Sequence, residues 1–205
     1  MDPSLDTRPD LSTAALTEIL TSVQAGELDI SEGLERLKHW PLRDLGHTRV
    51  DTQRALRCGA AEVVFGAGKT PAELVDIGRA ILEHDECLFV TRATPAGAAA
   101  LIEAFPTAVH HARSNAVTVG LPAEDDGEGH VLVVSAGTSD SAVAEEAALS
   151  ARVMGARVER LDDVGVAGIH RILSEQERLR RARVLIVVAG MEGALPSVVG
   201  GLVDR

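Results

Sequence analysis

Three glycine-bearing turns in the second half of the chain carry the residues best suited to chemistry. Ala136-Gly137-Thr138-Ser139-Asp140 follows the apolar run Val131–Val134. Gly165-Val166-Ala167-Gly168-Ile169-His170-Arg171 closes a second unit. Ala189-Gly190-Met191-Glu192-Gly193-Ala194-Leu195-Pro196-Ser197 follows Val184–Val188. Glycine at 137 lets the backbone tighten and lets a ligand come close. Thr138, Ser139 and Asp140 stand just before a helix, where backbone N–H groups and the helix dipole favour an anion. The same residue types also serve as plain N-caps. His170 and Glu192 are candidates to give or take a proton. For His170 the alternative is a partly buried structural histidine. For Glu192 it is a carboxylate stabilised at a helix start, with Pro196 expected at the first helical position.

These residues need a frame that brings three turns to one rim. Strand, turn and helix alternate three times from Val131 to Val203, which predicts a parallel sheet under helices. Open sheets of that kind bind ligands beyond the carboxyl ends of their strands. Ala144, Ala147, Ala148 and Ala151 share one face of the first helix and allow it to lie close on a sheet. A second helix is expected from about Gly168 to Ala182, with Ile172 and Leu179 inward.

Upstream, residues 1–46 read as a polar tail and a helical hairpin. Ser12 caps the first of its helices, Gly26 ends that helix, and Ser31 opens the second. Residues 47–120 read as a small α/β domain. Its strands are expected at His47–Asp51, Glu62–Phe65, Cys87–Thr91 and within Val109–Val119. Its helices open at Pro71 and Pro95. The acidic run 121–130 reads as a linker, and 131–205 as the domain bearing the three turns.

Composition bounds the function. The net charge of −11 argues against a nucleic-acid binder, which needs a basic face for phosphates. Aromatic residues are only 2%, so the core must be aliphatic. Cys58 and Cys87 give neither a disulfide framework nor metal-ligand spacing. The sequence shows no signal pattern and no membrane span, which leads to the expectation of a soluble cytoplasmic protein.

One cationic set stands apart. Asp51, Arg54 and Arg57 are spaced three residues apart, and Lys69 follows in Gly66-Ala67-Gly68-Lys69-Thr70. The segment lacks the first glycine of an ATP-hydrolysing phosphate loop. Arg54, Arg57 and Lys69 are candidates for nucleotide phosphates, with surface ion pairs as the alternative.

Together, the three turns and the run from Asp51 through Arg54, Arg57, Gly59, Glu62 and Val63 to Thr70 resemble the nickel-pincer nucleotide carboxylase family, LarB. The likeness covers roughly His47 to Val203. The later half also resembles, more distantly, the PurE-like aminoimidazole ribonucleotide carboxylases. The resemblance implies a flavodoxin-like, three-layer parallel α/β domain, here C-terminally incomplete. It implies carboxylation of the pyridine ring of nicotinic acid adenine dinucleotide with carbon dioxide or bicarbonate. The phosphoanhydride is hydrolysed and AMP leaves, giving pyridinium biscarboxylate mononucleotide. Magnesium and a homo-oligomer, an octamer by analogy, come with it. Gly137, Thr138, Ser139 and Gly190 would then contact substrate, with Ser139 and Asp140 lining the carboxylate pocket. His170 and Glu192 would handle protons, and Arg54, Arg57 and Lys69 would hold phosphates. The family's nucleophilic thiol sits in a Ser-Cys segment beyond the third turn, and neither Cys58 nor Cys87 matches it. A purine-pathway carboxylase or mutase, and a nucleotide-binding member without the thiol, are the alternative readings.

Overall fold

The computed structural model describes residues 13–37, 43–51, 54, 62–83, 85–123 and 127–204. Helices α1 (Thr13–Gln24) and α2 (Ile30–Leu37) form the expected hairpin. Gly33 is what lets them close. A Cβ there would stand 2.8 Å from Val23 Cγ2. The strand expected at His47–Asp51 is shorter. Only Arg49–Val50 (β2) is extended, paired antiparallel with Arg43–Asp44 (β1). The chain reverses between them with Gly46 at φ +83°, and Leu45 N–H donates to Thr48 O.

A mixed four-stranded sheet follows, in the order β3 (Val63–Phe65), β4 (Leu88–Thr91), β6 (Ala116–Val119), β5 (Val109–His111). The β3–β4 pair is parallel and the others are antiparallel. One face is covered by α3 (Pro71–Leu82) and α4 (Pro95–Ala104). Both helices begin with a threonine cap followed by proline. Thr70 and Thr94 accept the N–H of Glu73 and Gly97, and the proline supplies a preset φ where no N–H is needed. Leu74, Ile81, Leu88, Val90, Leu101 and Val117 fill the space between sheet and helices.

The later lobe is a three-stranded parallel sheet, β8 (Ala156–Leu161), β7 (Glu128–Ser135), β9 (Val184–Val188). Its central strand begins at Glu128, so the extended backbone starts before the expected boundary at 130. Side-chain alternation on β7 sorts the two layers. Val133 faces α5 (Ser141–Val153), where Ala144 and Ala148 allow close approach. Leu132 and Val134 face α6 (Ile169–Leu173), α7 (Gln176–Arg181) and α8 (Ala194–Leu202), with Ile172, Leu179, Leu195 and Val199 between them. The lobe is therefore a three-layer α/β domain of the flavodoxin-like kind.

The single helix expected over 168–182 is broken in two. Ser174 Oγ donates to Arg171 O, and Glu175 N–H bonds three residues back to Ile172 O. That local bonding tightens the turn and stops the helix. Helix α8 begins at Ala194, so Pro196 is its third residue rather than its first.

Helix α5 also joins the two lobes. Leu149 packs with Phe89 and Ala116 of the first sheet. Glu145 Oε2 accepts Ser114 N–H at 2.8 Å, and Glu146 pairs with Arg92 at 3.3 Å.

Candidate functional site

The order β8-β7-β9 places the topological switch point between β7 and β9, where successive connections leave in opposite directions. Ligands enter open parallel sheets at such a crevice. A cleft of about 520 Å³ lies there. Its walls come from all three turns: 136–140, 163–171 and 189–195. Ala136, Val166, Ala167, Ala189 and Leu195 make an apolar floor. Thr138, Ser139, Asp163, Arg171 and Glu192 bring polarity.

The turns are tied together at their bases. Ser135 ends β7 fully buried, and its hydroxyl donates to Asp162 Oδ1 at 2.8 Å. Val164 N–H and Gly165 N–H donate to Ser135 O and Ala136 O. Gly165 is fixed by sterics, because a Cβ there would meet Ala136 O at 2.7 Å. Burial alone would raise the Asp162 carboxyl. The hydrogen bonds from Arg160 and Ser135 and the charges of Arg160 and Arg113 outweigh it and hold the group below the usual carboxylate range.

Asp140 ties the first turn to the third. Its Oδ2 accepts Gly137 N–H at 2.9 Å, and its Oδ1 accepts Gly190 N–H at 3.1 Å. The carboxylate does not cap its own helix. Its role in this geometry is that of a strut between loops.

The helix starts at the cleft differ from those in the first lobe. Thr70 and Thr94 cap α3 and α4 there. At the cleft, α5 and α6 instead continue from short 3-10 turns, Thr138–Asp140 and Val166–Gly168, and α8 begins with no side-chain cap bond. Their N-cap positions are Asp140, Gly168 and Gly193. Gly193 holds φ +63°, so it and not Glu192 occupies the cap of α8. Of those three positions Asp140 lines the cleft, and Arg171 lines it too, with its Nη1 2.6 Å from Asp163 Oδ2.

The candidate residues divide accordingly. Gly137, Thr138, Ser139, Asp140, Gly190 and Glu192 come together on one cleft. His170 does not. It is exposed on α6, outside the lining, and its neighbour Arg171 enters instead. A helix turns by about 100° per residue, so adjacent residues cannot share a direction. Arg54 is exposed in the other lobe, and Lys69 Nζ donates to Phe65 O at 2.8 Å. Arg57 and Cys58 lie outside the described residues. Cys87 precedes β4 away from the cleft, and burial, then the charge of Asp85, pushes its thiol up. Sequence reasoning missed Arg171, Asp163 and the Ser135–Asp162 tie. Arg171 stood in the quoted turn, one residue from the histidine chosen.

Residues 42–121 match the family model described as the LarB/PurE-like N-terminal domain. The uncharacterized protein MJ0165 of Methanocaldococcus jannaschii is 29% identical over 198 residues, spanning 92% of this chain and 77% of that protein. The family match falls on the first lobe, whereas the archaeal relative also spans the lobe that holds the cleft. The first lobe is thus similar to the N-terminal domain of the LarB/PurE-like family. No helix among the described residues is long and apolar enough to cross a membrane.

Proposed function

We propose that the cleft binds the nicotinate end of nicotinic acid adenine dinucleotide and positions its pyridine ring for carboxylation by carbon dioxide or bicarbonate. The observation that carries this reading is the meeting of the Thr138 and Ser139 hydroxyls and the Arg171 guanidinium in one cleft with the apolar Ala136, Val166, Ala167, Ala189 and Leu195. A flat ring fits such an apolar surface, and its carboxylate or phosphate fits the donors beside it. The resemblance of the three turns to the LarB carboxylases narrows the substrate to a pyridine nucleotide.

Within that reading the residues take distinct parts. Thr138 and Ser139 offer hydroxyls at the start of α5. Arg171 offers a charged planar donor set for a carboxylate or phosphate. Glu192 lines the cleft with an exposed carboxylate, and in this reading it takes the ring proton. Asp140 holds the loops and contributes no proton step. Cys87 is not among the cleft's lining residues and does not match the thiol of the family's chemistry. Magnesium is commonly held by one or two carboxylates with substrate phosphates and water rather than by a protein cage, and Asp163 and Glu192 are the cleft acids that would share it. Among the described residues no group of three or more His, Cys, Asp or Glu side chains is placed to hold a metal. No step is therefore routed through protein-held magnesium.

Incubation with nicotinic acid adenine dinucleotide, bicarbonate and magnesium tests the reading. Calorimetry is expected to show binding of the dinucleotide by this chain, and mass spectrometry to show AMP and a mononucleotide with one added carboxylate from a form that carries the family's Ser-Cys segment. Neither carboxylated product nor calorimetric binding of the dinucleotide would reject it.

A further inference from the structure

A cleft of about 520 Å³ is of the size that encloses one drug-sized molecule. A dinucleotide is two nucleotides joined through their phosphates. With the nicotinate ring in the cleft, the adenylate half needs contacts beyond the lining residues.

The first lobe offers a surface there. Residues 112–115 form the hairpin turn between β5 and β6. The turn is tied to both lobes. Ser114 is buried, and its N–H donates to Glu145 Oε2 on α5 at 2.8 Å. Asn115 holds φ +53°, and its carbonyl accepts Ala93 N–H of the first lobe at 2.8 Å. Glu145 stands five residues along α5 from Asp140, which lines the cleft. Five residues are about 7.5 Å of helix axis, so the turn is anchored close to the cleft.

Arg113 stands exposed in this fixed turn. Three other arginines near the junction and the cleft are each held by an acid: Arg92 by Glu146, Arg160 by Asp162 and Arg171 by Asp163. Arg113 makes no ion pair among the described residues. Its charge nonetheless reaches Asp162, whose chain neighbour Asp163 lines the cleft. Arg113 therefore lies on the cleft's side of the junction, with its planar donor fork open to a ligand.

We propose that Arg113 is a phosphate-binding residue contributed by the first lobe, taking the adenylate phosphate of a dinucleotide whose nicotinate half occupies the cleft. The inference rests on the proposed function for the identity of that ligand. The two lobes then share one substrate. The later lobe holds the ring, and the fork of Arg113 holds two oxygens of the distal phosphate. A mononucleotide, which has no second phosphate, misses this contact.

Calorimetry at low salt with nicotinic acid adenine dinucleotide and with nicotinic acid mononucleotide tests the assignment. The parent is expected to bind the dinucleotide more tightly. Arg113→Gln is expected to weaken the dinucleotide roughly tenfold and to leave the mononucleotide within about twofold, at the parent's thermal midpoint. Arg113→Lys keeps the charge without the fork and should recover part of the loss. Arg157→Gln makes the same charge change on an exposed residue at the opposite end of β8 and should alter neither affinity. Unchanged dinucleotide affinity in Arg113→Gln, equal losses for the two ligands, or an equal loss in Arg157→Gln overturns the assignment and leaves the proposed function standing. Binding of neither ligand by the parent overturns both.

Discussion

Asp140 and Gly190, fifty residues apart in the chain, are joined by a 3.1 Å hydrogen bond across the switch point of the sheet. The same carboxylate accepts Gly137 N–H at 2.9 Å. Removing it leaves two N–H donors without their acceptor at the mouth of the cleft. Asp140→Ala is expected to cost about 1–3 kcal/mol of unfolding free energy, because bonds to a charged acceptor are worth more than neutral ones. Asp140→Asn retains one acceptor oxygen and turns an NH₂ group toward the other donor, so it recovers only part of the loss. Urea titration of the three proteins measures this. Equal stability of Asp140→Ala and the parent would remove the strut from the account.

Much of this arrangement was legible in the chain. The threefold alternation of strand, glycine turn and helix predicts the parallel layer and a shared rim, and the structure has a three-stranded parallel sheet with the three turns on one cleft. Ala144 and Ala148 predict the close helix, and Val133 is buried beneath it. Direction within a turn was not legible. His170 and Arg171 are neighbours in sequence, and only the helical rotation set by burying Ile172 decides which one faces the cleft. The division of labour for Asp140 was equally hidden, since its partner Gly190 is remote in sequence. Ser174 looked like an ordinary helix residue, and its bond back to Arg171 O interrupts the helix.

Acid should loosen the later lobe. Burial would raise the Glu159 carboxyl, but hydrogen bonds from Arg178, His130 and Arg181 and the Arg178 charge hold it below its ordinary value. Asp162 is lowered in the same sense. A depressed carboxylate contributes stability above its unfolded pKa of about 4 and loses it as pH falls through the folded value. Both groups are partly exposed, so screening limits each to roughly 1 kcal/mol or less. Thermal midpoints should be flat at neutral pH and fall below about pH 4. Glu159→Gln should lower the neutral plateau and shrink the acid slope. An unchanged slope in that variant would place the acid sensitivity elsewhere.

Two glycines of the site should respond oppositely to a methyl group. At Gly165 a Cβ meets backbone atoms, 2.7 Å from Ala136 O and 3.3 Å from its carbonyl carbon. No side chain can rotate away, so Gly165→Ala is expected to cost about 1–3 kcal/mol. At Gly137 the nearest atom is 3.8 Å away and the backbone is extended at φ −150°. Gly137→Ala should be within about 0.5 kcal/mol of the parent in stability. It should nonetheless weaken dinucleotide binding, because the methyl group stands where a ligand approaches the backbone. Calorimetry and denaturation on the pair separate the two effects.

The junction between lobes should depend on its apolar contact more than on its ion pair. Leu149 is buried against Phe89 and Ala116, so Leu149→Ala is expected to cost about 2–5 kcal/mol. The Arg92–Glu146 pair is 3.3 Å long, with the arginine well exposed. Glu146→Gln should cost less than about 1 kcal/mol. Glu145 is the intermediate case, since its carboxylate accepts Ser114 N–H from the other lobe. If Glu146→Gln proved the more damaging of the first two, charge would hold the lobes together and the packing argument would fail.

The sharpest comparison lies between two adjacent residues on α6. Arg171 lines the cleft and His170 does not. A lost charge-assisted hydrogen bond is worth about 1.5–3 kcal/mol, so Arg171→Met should raise the dissociation constant of nicotinic acid adenine dinucleotide by roughly 10- to 100-fold. Arg171→Lys keeps the charge but not the planar fork, and should fall between. His170→Ala touches only an exposed side chain and should leave binding within about twofold. The Arg171–Asp163 pair sits on the rim and is solvent-exposed, so all three variants should keep the parent's stability to within about 1 kcal/mol. A large binding loss in His170→Ala with little in Arg171→Met would reverse the orientation assigned to α6, and with it the side of the cleft that meets the anion.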